Sequence, residues 1–389
     1  MKKTILSLAI LASVFIGCSD DDEEIITKTP VQGEITGDII ANKTYAYGNY
    51  TLKGIVKIQS GVTVTFDAGS TITSDKTDGV DALVVLNGGK LMMIGTASEP
   101  IVCTEKSKVA GSWGGIIMYG DAPIVGAAGV TTATSEDGLS LPYGGTNATH
   151  NGGTLRYVRV EYAGKKITDG TSEMNGFSFY SVGSGTILEN LVSYKGADDG
   201  YEFYGGTVSL KHAISYGNFD DSFDWQDGWN GQENTNWYAY QTGTGNYGME
   251  IEAKSYNNAF YPKVTNITLK RAAGTQTEGG SSASEYDAIQ FKKQGNGEYS
   301  NILISGYAQT VGATAVRIQD AATNTDQVNG NKIKILNIKI TDAAINYAAA
   351  GTAFTVTFPA ANFTTSTTAT GASITGGNWS TAEETSLLQ

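Results

Sequence analysis

Three carboxylates recur at one position of a repeating strand pattern. Glu202, Asp224 and Glu250 are the middle residues of Tyr201-Glu202-Phe203, Phe223-Asp224-Trp225 and Met249-Glu250-Ile251. Side chains alternate across a strand, so the flanking apolar residues share one face and the acids the other. Acids gathered in this way can hold a hard cation such as calcium, which takes six to eight oxygens. They can also serve glycoside hydrolysis, which needs two carboxyls about 5–5.5 Å or about 6.5–9.5 Å apart. Neighbouring positions enlarge the acidic face: Glu252 lies two residues on, Asp198, Asp199, Asp220 and Asp221 precede the strands, and Asp227 follows one. Tyr204, Trp229 and Trp237 are the aromatics placed to stack on a sugar. The expected ligand-binding set is Glu202, Asp224, Glu250, Glu252, Tyr204, Trp229 and Trp237. The expected metal ligands are Asp198, Asp199, Asp220, Asp221, Asp224 and Asp227. A plainer role stays open to the four turn aspartates, which can bond loop N–H groups, and to the two tryptophans, which can pack under a loop.

The elements that must position these groups follow from self-similarity. Residues 192–203 align with 214–225 at a constant offset of 22, matching Ser, Tyr, the Asp-Asp pair, the acid and the aromatics. The triplet recurs as Phe177-Ser178-Phe179, Ile289-Gln290-Phe291 and Val316-Arg317-Ile318. Short strands repeating every 20–27 residues or so are the signature of a β-solenoid, each coil burying its inward residues against the next. The middle residues then form one outward column: Ser178, Glu202, Asp224, Glu250, Gln290, Arg317. A second runs beside it: Tyr180, Tyr204, Gln226, Glu252, Lys292, Gln319. With coils about 4.8 Å apart, each adjacent acid pair costs roughly 3–4 kcal/mol at an effective dielectric near 20. Relief must come from a cation, a raised pKa on the middle acid, or a lysine such as Lys195, Lys211 or Lys254. The first half of the chain has the same grammar at 51–72, 83–94 and 113–119, and 332–340 and 353–358 are the expected last coils. Residues 126–153 and 272–284, rich in Gly, Ser and Thr, are expected as inserted loops.

Composition agrees with an all-β chain: Gly 49, Pro 6 and Tyr 21, with little helix-period patterning. The net charge of −13 excludes nucleic acid as a partner, because phosphates demand Lys and Arg. Gly-rich phosphate loops, zinc spacings and nucleophile elbows are absent. Of the 2 Cys, Cys103 is expected to be a buried small hydrophobe.

The chain opens with Lys2 and Lys3, an apolar run over 5–16, then Gly17 and Cys18, which reads as a secretory signal. Phe15-Ile16-Gly17-Cys18 resembles a bacterial lipobox, implying acylation of Cys18. The following Ser19-Asp20-Asp21-Asp22-Glu23-Glu24 resembles the acidic export tag of surface-exposed lipoproteins of the Bacteroidetes. Residues 1–17 are thus expected as signal peptide, 18–32 as lipidated Cys and tether, and 33–389 as the β-helix domain. The protein would sit on the outer membrane, lipid-anchored and facing outward.

Trp113-Gly114-Gly115-Ile116-Ile117, residues 153–164 and residues 197–208 are similar to secreted β-helix proteins of the pectin-lyase-like superfamily. That resemblance implies a right-handed parallel β-helix, and a TonB-dependent outer-membrane receptor as partner. The superfamily includes pectate lyases, polygalacturonases and non-enzymatic binding proteins. The favoured expectation is a binding module for a glycan or other extracellular nutrient, assisted by calcium. The alternatives are a polysaccharide lyase or glycoside hydrolase using Glu202, Asp224 and Glu250, and a structural or adhesive surface protein. A complete catalytic set does not assemble: His150 and His212 fall outside the strand pattern, and Arg317 is two coils from Glu250. Replacing Cys18 with Ser is expected to abolish labelling by palmitate and to release the protein from the membrane fraction. Undiminished labelling would refute the lipid anchor.

Overall fold

The computed structural model describes residues 28–76, 79–126, 129–165, 174–254, 260–278, 285–342 and 345–389. The signal, Cys18 and the acidic stretch after it lie outside the described residues. Among those described, the chain is a right-handed parallel β-helix built on two long parallel sheets, one of 15 strands and one of 10. The ten-stranded sheet contains the six triplets. It runs through Ile116–Tyr119, Phe177–Tyr180, Tyr201–Tyr204, Phe223–Gln226, Met249–Ile251, Ile289–Phe291 and Thr314–Ile318, each paired with the next.

Burial of the inward residues drives this arrangement. Phe177 stacks on Tyr201 at 5.1 Å, Tyr201 on Phe223 at 5.3 Å, and Phe179 on Phe203 at 5.1 Å. Trp229 and Trp237 belong to this interior, which corrects their assignment to a sugar-stacking rim. Both are fully buried. Trp229 packs on Phe203 and Trp237 on Phe223, each at 4.5 Å. Their indole N–H groups donate to the Val208 and Leu210 carbonyls at 2.9 Å. The large apolar ring won over the sugar-binding role because each coil needs that volume to fill its lumen.

The second sheet explains the turns. In the first coils it consists of separate short strands, such as Lys90–Ile94 and Ile101–Glu105. Both pair with halves of one nine-residue strand, Gly153–Glu161. From there each coil carries one long bent strand whose bend residue has positive φ: Tyr157, Asn190, His212, Asn236, Asn266, Asn301 and Asn337. Asn tolerates the left-handed region through local side-chain bonds, and here it also links coils, as Asn301 donates to Asn266 at 2.7 Å.

Two segments depart from expectation. Residues 353–358 form no strand. Val356 and Phe358 are buried, and Phe358 packs on Tyr347 and Phe363, at 5.0 and 5.5 Å, next to the last strands Ile345–Ala349 and Phe363–Thr365. Beyond 365 the chain doubles back along the outer face of the bent strands. Ser373 N–H donates to Asn236 at 3.0 Å and Trp379 N–H to the Ala97 carbonyl at 3.2 Å, and Glu383 accepts from Tyr194 at 2.8 Å. Cys103 is buried as expected.

Replacing Trp237 with Ala should cost about 3–5 kcal/mol of unfolding free energy in a denaturant titration. A loss below 1 kcal/mol would contradict its place in the core.

Candidate functional site

The strand pairing places the middle residues of the triplets in one column. Ser178 faces Glu202, Glu202 faces Asp224, Asp224 faces Glu250, Glu250 faces Gln290, and Gln290 faces Arg317. The column borders a cleft of about 420 Å³ with Asp199, Asp220 and Asp221 on the turn side. Although it points away from the lumen, it is shielded: Glu202 is 6% exposed and Asp224 9%.

Each acid except one is held by a donor. Glu202 accepts from Asn175 at 2.6 Å, from Gln226 at 3.0 Å and from the Tyr204 hydroxyl. Asp199 accepts the Asp221 N–H at 2.8 Å, and Asp221 the Tyr247 N–H at 2.6 Å. One oxygen of Asp199 and one of Asp221 therefore brace the next coil while both residues still line the cleft. Asp220 accepts from the Asn246 side chain, and Glu250 is paired with Lys292. Asp224, in the middle, has a buried Oδ1 with no hydrogen-bond partner.

Burial is the first cause of the electrostatic character, and like charge the second. Burial, then the charges of Glu202 and Glu250, push the Asp224 carboxyl well above its ordinary range. Burial, then Glu136, raise Glu202 to about 8. Burial, then Glu278 and Glu250, raise Asp220 to about 7. Burial works against the charged form of Lys292, but Glu250, Asp224 and Glu252 outweigh it and keep the ammonium protonated.

The donor set suits a divalent cation. Carboxylate oxygens of Asp199, Glu202 and Asp224 lie within 4.8 Å of one another, as do those of Asp198, Asp199 and Asp220. A hard cation in such oxygens would replace like-charge repulsion by attraction. Asp221 is in neither group and neither is Asp227, which corrects their assignment as metal ligands. Asp227 lies past the end of its strand with φ 56°, ion-paired with Lys254 at 3.0 Å and accepting from the Tyr143 hydroxyl. Glu252 is engaged by Lys293 at 2.8 Å and Lys292 at 3.5 Å. Tyr204 lines the cleft but is buried, stacked on Tyr180 at 3.9 Å. Lys195 and Lys211 give the column no relief, since they pair with Glu383 and Glu233 at 2.9 Å each.

Several contributors escaped sequence reasoning. Asn175, Asn246 and Tyr247 come from turns without a repeated signature. Residues 129–152 fold as a cover over the tyrosine end of the sheet. They contain a small antiparallel pairing of Ala133–Thr134 with Pro142–Tyr143. Tyr143 packs on Tyr180 at 5.0 Å, and Asp137 accepts from Tyr119. The absence of periodicity marked this stretch, but its contacts had no local cue.

Residues 33–383 match the family described as pectate-lyase-like β-helix domain. The chain belongs to that family. No curated protein and no solved structure matches it significantly. Membership accounts for the coil and leaves the ligand to be argued from the cleft.

The raised carboxyls reverse the usual pH trend of an acidic protein. A carboxyl whose folded pKa is raised contributes stability below its unfolded value, and that contribution is lost as pH rises through the folded one. For Glu202 the window runs from about 4.5 to about 8. In chelator, the melting temperature should therefore rise as pH is lowered from 8 towards 5. A melting temperature that falls over that interval would show that these carboxyls are ionised in the folded state.

Proposed function

We propose that the protein is a lipid-anchored outer-membrane lipoprotein that faces the cell exterior. In this reading it captures a glycan or other extracellular nutrient in the acidic cleft with the help of bound calcium. The observation that carries the binding reading is Asp224. Its Oδ1 is buried and unpartnered between Glu202 and Glu250, and burial with like charge disfavours its ionised form. A calcium ion shared by Asp199, Glu202 and Asp224 would relieve this and leave coordination positions for ligand hydroxyls. Cys18 with its acidic tether supports the location, and a TonB-dependent receptor is the partner that location suggests.

Binding is favoured over lyase chemistry by the state of the cations. A lyase base must shed its proton, and a basic side chain does so readily only when its pKa is lowered. Lys292 is held protonated by three acids. Arg317 is engaged by Asp287 at 2.8 Å and likewise raised, its burial outweighed by that carboxylate. Hydrolysis keeps one supporting observation, because Glu202, raised to about 8, holds the proton a general acid donates.

Calcium titration by calorimetry, with thermal melts in calcium and in chelator, tests the reading. Calcium should raise the melting temperature of the natural protein. Asp224→Asn should lose that shift while melting no lower than the natural protein in chelator, because the amide stays neutral where burial, Glu202 and Glu250 oppose ionisation of the carboxyl. Absence of a calcium shift in the natural protein would refute cation-assisted binding. Release of reducing ends from a polysaccharide panel, lost in Glu202→Gln, would move the assignment to a hydrolase.

A further inference from the structure

The solenoid supplies only part of the donor set around the cleft. Asp199, Glu202 and Asp224 each offer one oxygen to a common point, whereas calcium takes six to eight. Carboxylates outside the repeat also reach the cleft, Glu278 and Glu285 among them, and one of these, Glu136, comes beside Glu202. Glu136 lies in the cover formed by residues 129–152, is exposed, and lines the same cleft. Its Oε1 accepts from Gln226 Nε2 at 2.9 Å, and the same nitrogen donates to Glu202 Oε1 at 3.0 Å. Two carboxylates sharing one amide nitrogen are close neighbours, and an amide is a weak counterweight to two negative charges.

The position of Glu136 is fixed by its neighbours. Ser135 and Asp137 are buried, joined by a 2.8 Å hydrogen bond, and both take part in bonds with the Tyr119 hydroxyl. Asp137 also accepts the Leu139 N–H at 3.0 Å. Further along, Tyr143 anchors the cover to Asp227 and against Tyr180. The segment is therefore pinned on both sides of Glu136, and Glu136 is left to reach the cleft.

Glu136 stands outside the carboxylate groups that already converge, and we infer that its exposed side chain turns in from the cover to become a direct ligand of the cation bound in the acidic cleft, beside Glu202, so that the cover completes a site the coils only begin. The inference rests on the cation reading above and adds to it a residue that no repeat position predicts. The bare Asp224 Oδ1 shows that the cleft has coordination capacity unused by protein donors. Glu136 and Gln226 then form a switchable pair: the amide bridges the two carboxylates in the metal-free protein, and the cation takes its place.

The test compares calcium binding by calorimetry in the natural protein, Glu136→Gln, Glu136→Asp and Glu34→Gln. Glu136→Gln should weaken calcium roughly tenfold to hundredfold, the range seen when a supporting group of a metal site is removed. Its melting temperature in chelator should stay close to that of the natural protein, because the residue is exposed. Glu136→Asp should recover part of the affinity, which separates loss of a ligand from disturbance of the cover. Glu34→Gln removes an exposed acid from the first coil, paired there with Lys53, and should leave affinity unchanged. If the natural protein binds calcium and Glu136→Gln binds it equally well, the assignment of Glu136 is wrong while the cation reading stands. If the natural protein binds none, both fall.

Discussion

Parallel coils held in register by backbone hydrogen bonds place every residue about 4.8 Å from its counterpart in the next coil, whatever its side chain. Inside the lumen that constraint is favourable. Phe177, Tyr201 and Phe223 stack as one column, and the tryptophans fill the wider coils. Outside, the same constraint sets Glu202, Asp224 and Glu250 against one another, and the chain cannot slip by one residue to separate them without turning the aromatic column out to water. The acidic cleft is thus sustained by the core on the other side of the same strands.

What keeps the cleft from collapsing or swelling is a set of neutral donors. Asn175, Tyr204 and Gln226 hold Glu202, and backbone N–H groups of successive coils hold Asp199 and Asp221. These bonds orient oxygens without neutralising them. Among the described residues lining the cleft, the ammonium groups are Lys292 on Glu250 and Glu252, Lys293 on Glu252, and Lys254 on Asp227. Asp224 falls between the two kinds of support. An arrangement that fixes carboxylates rigidly but leaves the central charge uncompensated is preorganised for a cation, since little reorganisation has to accompany binding.

The cover formed by residues 129–152 and the returning C-terminal segment add long-range ties that the nearest-neighbour logic of a solenoid lacks. Tyr143 and Glu136 lock onto coils well separated from them in sequence, through Asp227 and Gln226. Asn378 and Trp379 reach back to Ser98 and Ala97. Both additions lie on outer faces of the coil, one over the triplet sheet and one over the bent strands, and both use polar bonds to residues that the repeat already exposes.

The 22-residue offset and the alternation within each triplet were enough, in the sequence alone, to determine the solenoid, its register and the column running from Ser178 to Arg317. Those features are set by local period and by the demand that apolar residues face inward, and both are written along the chain. Tertiary structure decided what surrounds the column. Trp229 and Trp237 lie in stretches without strict alternation, so which way they turn depends on the volume of the lumen, a property of several coils together. Asp227 could be separated from the other aspartates only by knowing that Tyr143 and Lys254 arrive beside it. Glu136 acquires its role from a fold of the cover whose contacts bridge dozens of residues. Periodicity encodes a coil's relation to its neighbour, whereas a cation site depends on groups converging from outside the repeat, and that convergence exists only in three dimensions.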